Sequence, residues 1–166
     1  MHRQWLKNLA TSEFTNGSWQ LSDPTNPSYL AHTAFQDALN SLYGRVENSA
    51  NIFNTYAEPL KHIKLYKLTT DNQSSPCGFI MLMNKLQLKL DRQQSAFKTE
   101  AIYFHNYKNM VCPLRVYTPK MDTFGDVIWM ENNQTPMNLD QIAKQLIEDI
   151  CKKAYELGLI PVRKRT

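Results

Sequence analysis

At Pro59 the spacing of apolar residues changes from helical to strand-like, and this switch constrains the fold more than any other feature of the chain. Before it, Leu30, Ala31, Ala34, Phe35, Ala38, Leu39, Leu42 and Val46 recur at helical steps and gather into one stripe. The stripe resumes at Ala50, Phe53 and Ala57. The pattern therefore predicts one long helix that is capped by Ser28 just after Pro27, crosses Gly44 and ends at Pro59, whose ring removes a backbone donor. Beyond Pro59, segments rich in Leu, Ile, Val, Tyr and Phe alternate with polar turns, predicting strands over 63–69, 79–91, 97–107, 112–118 and 126–130. Consecutive strands with short links read as an antiparallel meander.

A second helical stripe closes the chain: Leu139, Ile142, Ala143, Leu146, Ile147, Ile150, Ala154 and Leu157. Asn138 with Gln141 forms a capping-box pattern in front of it, and Gly158 with Pro161 marks its end. Its polar positions Asp140, Lys144, Glu148, Asp149, Lys152, Lys153 and Glu156 mix both signs, the pattern of a solvated face and not of a membrane-surface helix. An apolar stripe of this length must lie on another apolar surface, and the sheet supplies one. The expected fold class is α+β, an antiparallel sheet of about five strands packed by a long N-terminal helix and a C-terminal amphipathic helix. With 166 residues the chain suits one domain over 1–166. Residues 1–27 would be an N-terminal extension, with a short amphipathic turn near its start and a polar surface connection over 11–27; residues 162–166 would be a basic tail.

No apolar run reaches the roughly 20 residues of a membrane span, and the first residues lack the apolar core of a signal peptide. Cys77, Cys112 and Cys151 are odd in number and widely spaced, which suits reduced thiols and a cytoplasmic protein. The five glycines stand far apart, at positions 17, 44, 78, 125 and 158, so no phosphate-cradling loop and no Gly-x-Ser-x-Gly elbow can form. His2, His32, His62 and His105 are scattered and no close Cys or His pair exists, so neither a metal nor a cofactor is expected. No acidic residue stands two before a lysine, and His62-x-Lys64 lacks the acidic residue that would complete a phospholipase-type motif. Asp122 and Asp126 flank Phe124-Gly125 as turn formers. Cys112 near His105 is the one arrangement resembling a thiol nucleophile with its base.

The remaining constellation concerns binding. With Ile102 and Phe104 turned to the core, alternation exposes Tyr103, His105 and Tyr107; with Leu114 and Val116 buried, it exposes Arg115 and Tyr117. On the longest strand it exposes Lys85, Gln87 and Lys89. Such a face suits a protein interface, in which Tyr and Arg are enriched. The expected function is that of a small soluble, non-enzymatic binding or regulatory protein whose partner is another protein, with a homodimer as a further form. The alternative is a single-stranded nucleic-acid-binding protein that stacks bases on the aromatics and follows phosphates with the lysines, joined by Arg163, Lys164 and Arg165 of the tail. A third reading is a hydrolase or nuclease with a dispersed site.

Overall fold

Seven consecutive strands pair in sequence order, each antiparallel to the next, and both helices lie on one side of the sheet they make. The computed structural model describes residues 13–15, 18–20, 32–69 and 76–160, and side chains over 33–69 and 77–160. In chain order the elements are β1 (Glu13–Thr15), β2 (Ser18–Gln20), α1 (His32–Tyr56), a 3-10 turn (Pro59–Lys61), β3 (Ile63–Thr69), β4 (Pro76–Met83), β5 (Leu86–Gln93), β6 (Ala96–His105), β7 (Lys108–Met121), β8 (Val127–Glu131), β9 (Thr135–Met137) and α2 (Leu139–Glu156). The fold class is α+β, with two helices and a seven-stranded antiparallel sheet of order β3 to β9 among the described residues. Among the described residues no helix is long and apolar enough to cross a membrane.

The expected five strands become seven because two tight turns carry little composition signal. The segment 79–91 is a hairpin and not one strand: Met83 pairs with Leu86 across Asn84-Lys85, with Asn84 at φ 54. The buried positions shift from odd (Phe79, Met81, Met83) to even (Leu86, Leu88, Leu90) across that turn. A change of parity of this kind marks a two-residue turn even where the apolar run looks continuous. At the other end Asn132 and Asn133, both at positive φ, turn the chain into β9, which lies beyond the last expected strand. The strand expected over 97–107 stops at His105, because Asn106 and Tyr107 both take the left-handed conformation and reverse the chain into β7.

Helix α1 runs unbroken through Gly44, whose position opens to solvent. Its buried stripe of Phe35, Leu39, Leu42, Val46 and Ala50 joins Ile142, Leu146 and Ile150 of α2 over Phe79, Met81, Leu88, Leu90 and Phe97 of the sheet. Phe97 packs between Phe35 and Trp129 at centroid distances of 6.0 and 5.6 Å. Each of these fully buried large side chains contributes about 1.5–3 kcal/mol of transfer free energy. Both halves of the capping box at α2 are formed: Gln141 N donates to Asn138 Oδ1 at 2.8 Å and Asn138 N donates to Gln141 Oε1 at 2.9 Å. Gly158, at φ 69, stops the helix.

The polar connection expected over 11–27 contains a backbone hairpin, β1 with β2, in which Phe14 pairs with Trp19. The amphipathic turn near residues 2–10, the Ser28 cap and the basic tail, with Arg163, Lys164 and Arg165, lie outside the described residues.

Candidate functional site

The face of the sheet turned away from the helices is built by alternation along each strand and by register between strands. On β3 the core takes Ile63 and Leu65, so Lys64 and Tyr66 point outward; on β4 the core takes Phe79 and Met81, so Ile80 and Leu82 point outward. On β5 Gln87 and Lys89 lie outward, as expected from the sequence. On β6 the core takes Phe97, Thr99 and Ala101, so Glu100, Ile102 and Phe104 are outward. The register joins Lys64, Leu82, Gln87, Ile102 and Val111 into one row across five strands, and Tyr66, Ile80, Lys89, Glu100 and Pro113 into the next. Tyr66, Phe104 and Val111 are more than half exposed on this face. Lys89 pairs with Asp91 at 3.7 Å and Lys98 with Glu100 at 3.0 Å, on β5 and β6 in the middle of the face.

This arrangement corrects the expected face at several positions. The parity of β6 is the reverse of the expected one: Tyr103 packs toward the core, where Lys153 Nζ of α2 stands 5.3 Å from its ring centroid, while Phe104 is 65% exposed. Both parities of β6 carry apolar residues, so alternation defines two faces without saying which one the helices cover. Tyr107 is 94% exposed, but it belongs to the turn after β6 and not to a strand face. His105 pairs with Lys108 at the strand end.

On β7 a bulge reverses the parity. Lys98 pairs with Val116 and Glu100 with Pro113, so Thr99 alone faces both Arg115 and Leu114. Beyond the bulge Arg115 and Tyr117 turn to the helix side, and Tyr117 is fully buried. Thr99 Oγ1 completes the interrupted ladder: it donates to Arg115 O at 2.9 Å and accepts from Arg115 N at 2.8 Å.

Arg115 is the centre of an ionic cluster between sheet and helix. Its Nε and Nη2 donate to Asp149 of α2 at 2.8 and 3.2 Å, and Nη1 donates to Glu131 of β8. The Asp149 hydrogen bonds hold the guanidinium proton more tightly than usual, against the opposing effect of burial. The Tyr117 hydroxyl donates to Gln145 Oε1, and burial pushes its pKa above the ordinary phenol range. Asp149 is therefore a sheet contact and not part of a solvated helix face. The cation and the two carboxylates satisfy one another, as expected of a tie between layers.

Lys85, Tyr103 and His105 do come together, with Phe104, Leu157 and Leu159, around a cavity of about 280 Å³ at the end of the sheet. A drug-sized ligand usually needs about 300–1,000 Å³. A groove of about 740 Å³ lies between α1, β8 and the start of α2, lined by Ala38, Trp129, Met137 and Leu139, with the Arg45–Asp140 ion pair at 2.7 Å among its walls. His105 and Cys112 are kept apart: their partners in the β6–β7 ladder, Lys108 and Ala101, place them four rungs from each other, roughly 13 Å along the strand. Asp122 Oδ1 accepts from Phe124 N at 2.9 Å and Asp126 N at 2.8 Å, the geometry of a turn former. Among the described residues no three His, Cys, Asp or Glu side chains converge as a metal site requires.

Sequence reasoning missed Tyr66, Ile80, Leu82, Ile102, Phe104 and Val111 as outward residues. The usable signal was the change of parity at Asn84-Lys85, which sets the face of β4 and, through the register, that of its neighbours. Comparison with protein-family models, with curated proteins and with solved structures finds no match for this chain.

Proposed function

We propose that this chain is a non-catalytic cytoplasmic binding protein that takes another protein on the outer sheet face. The observation that supports the reading is the row structure of that face: Leu82, Ile102 and Val111 stand in one row with Gln87 between Leu82 and Ile102 and Lys64 at its end, next to Ile80 and the exposed ring of Tyr66. Half-exposed apolar side chains set among Gln87, Lys89, Glu100 and the exposed Lys64 fit a protein partner that offers apolar and charged groups together. The ionisable groups that meet elsewhere, Arg115 with Glu131 and Asp149, are engaged with each other.

The test is capture from the native source with wild-type protein, with Ile102→Glu and Val111→Glu on the face, and with Lys144→Ala on the exposed side of α2. The expected outcome is a defined protein partner lost with the two face variants, retained with Lys144→Ala and insensitive to nuclease. An identical captured set for all four proteins would refute the reading.

A second reading, single-stranded nucleic acid, has its own observation: Tyr66 and Phe104 are exposed on the same face as Lys64 and Lys89. It predicts nuclease-sensitive capture and affinity that falls steeply with salt. Of the residues first expected to carry it, Lys89 lies on this face, while Tyr103, Arg115 and Tyr117 lie on the other.

A further inference from the structure

Strands β3 and β9 form the two edges of the seven-stranded sheet, and the edges are unlike. Strand β9 is three residues long with Pro136 at its centre, which blunts it against pairing. Strand β3 is seven residues long, contains no proline and holds its register with β4 up to Leu68. Among the described residues one rung of its free edge is closed: Asn54 Nδ2 donates to Ile63 O at 2.9 Å, and Ile63 N donates to Asn54 Oδ1 at 2.8 Å. These two bonds also fix the direction of the other rungs. In an antiparallel ladder the N–H and C=O of one residue point the same way and those of its neighbours point the opposite way. Because Ile63 turns its pair away from β4, Leu65 and Lys67 do the same.

We propose that this edge pairs with the β3 edge of a second copy of the chain, antiparallel about a two-fold axis. The register that engages both free rungs on each strand sets Leu65 opposite the partner's Lys67 and Lys67 opposite the partner's Leu65. Tyr66 then meets the partner's Tyr66 as a close, non-hydrogen-bonded pair on the outer face, and Lys64 faces the partner's Leu68. No lysine stands opposite a lysine. A slip of one rung pair in one direction sets Lys67 against the partner's Lys67, and a slip in the other requires the Ile63 rung, which Asn54 already holds. The Lys67 side chain is folded back onto α1, its Nζ 4.9 Å from the Tyr43 ring centroid, so it leaves its own rung clear. The dimer does not depend on the outer-face reading, and it would extend two sheets of seven strands into one.

Sedimentation velocity of the full chain over a concentration series tests the pairing. The expected result is a concentration-dependent dimer that Tyr66→Lys abolishes; Tyr66 is half exposed, so that variant keeps its circular dichroism. With Cys77, Cys112 and Cys151 replaced by serine, Tyr66→Cys should form a symmetric disulfide under mild oxidation, since a non-hydrogen-bonded pair has a Cα separation of about 4.5 Å, within disulfide reach. Lys64→Cys in the same background should not. A chain that stays monomeric at every concentration, a dimer indifferent to Tyr66→Lys, or cross-linking at position 64 in preference to 66 would overturn the proposal. Ile102 and Val111, which test the outer face, lie on β6 and β7, so the two readings fail separately.

Discussion

Thr99→Val removes one oxygen and keeps the side-chain shape, at a position with no exposed surface. In the wild type that oxygen makes both bonds to the Arg115 backbone, at 2.9 and 2.8 Å, where the bulge has taken the ladder partner away. The substitution therefore leaves an N–H and a C=O without partners at a partly buried site. An unsatisfied buried polar group costs about 1–3 kcal/mol, so the pair should cost about 2–4 kcal/mol after allowance for partial access to water. For a chain of this size that lowers Tm by roughly 5–15 °C, a large part of a total stability of about 5–15 kcal/mol. Urea unfolding followed by tryptophan fluorescence, which the buried Trp129 reports, and by circular dichroism measures the loss, which should appear as a lower midpoint at unchanged slope. Thr99→Ser keeps the hydroxyl and loses one methyl, so it should cost about 1 kcal/mol. A Thr99→Val protein within about 0.5 kcal/mol of wild type would refute the claim that this hydroxyl completes the ladder, because 0.5 kcal/mol is the size of an ordinary surface substitution.

Gly44→Ala should raise stability by about 1 kcal/mol, because the position is mid-helix, its added methyl meets nothing within 4 Å, and glycine is the poorer helix former; calorimetry reads the gain as a higher Tm. Gly78→Ala should do the opposite, since a Cβ there falls 2.0 Å from Leu90 O on the neighbouring strand; a backbone clash of this kind costs about 3 kcal/mol and should show as a lower urea midpoint. Arg115→Met should cost about 2–4 kcal/mol by stranding Asp149 and Glu131, and Asp149→Asn added to it should recover part of that loss, which a double-mutant cycle measures. Stability should also fall at alkaline pH. Burial raises the thiols of Cys77 and Cys151 and the phenol of Tyr117, so the folded chain keeps protons that the unfolded chain releases; the contribution is complete below the ordinary thiol range and declines as pH rises through the folded values. Thermal melts from neutral pH upward should show the decline, and Tyr117→Phe should flatten its upper part.

The closing helix was the most legible element of the sequence, because its capping box, apolar stripe and terminal glycine are local signals that agree. The long helix was legible for the same reason, and Gly44 did not break it because packing on one face outweighs a propensity cost of about 1 kcal/mol. The strands were legible as a meander but not in number, since Asn84-Lys85 and Asn132-Asn133 turn the chain without interrupting its apolar content. The outer face was legible only on β5, where Leu86, Leu88 and Leu90 contrast sharply with Gln87 and Lys89. On β6 no such contrast exists, because Phe97 and Ala101 compete with Ile102 and Phe104. On β7 the bulge reverses the pattern at a point that no local residue type announces.

The position of that bulge decides which side chains the outer face carries. Without it, Leu114 and Val116 would continue the inward parity of Cys112, and Arg115 and Tyr117 would stand on the outer face. The extra residue turns Arg115 and Tyr117 inward at the place where α2 presents Gln145 and Asp149, one helical turn apart beside its apolar stripe. A cation and an aromatic ring that looked like binding groups thus become the tie that holds a helix to a sheet. The outer face loses Arg115 and Tyr117 to the helix side, while it carries apolar side chains on β4, β6 and β7, Gln87 and Lys89 on β5, and Lys64 with the exposed Tyr66 on β3. On the proposed reading, recognition on this side should combine apolar contact at β4, β6 and β7 with the charged side chains of β3, β5 and β6, and β3 is also an edge strand of the sheet.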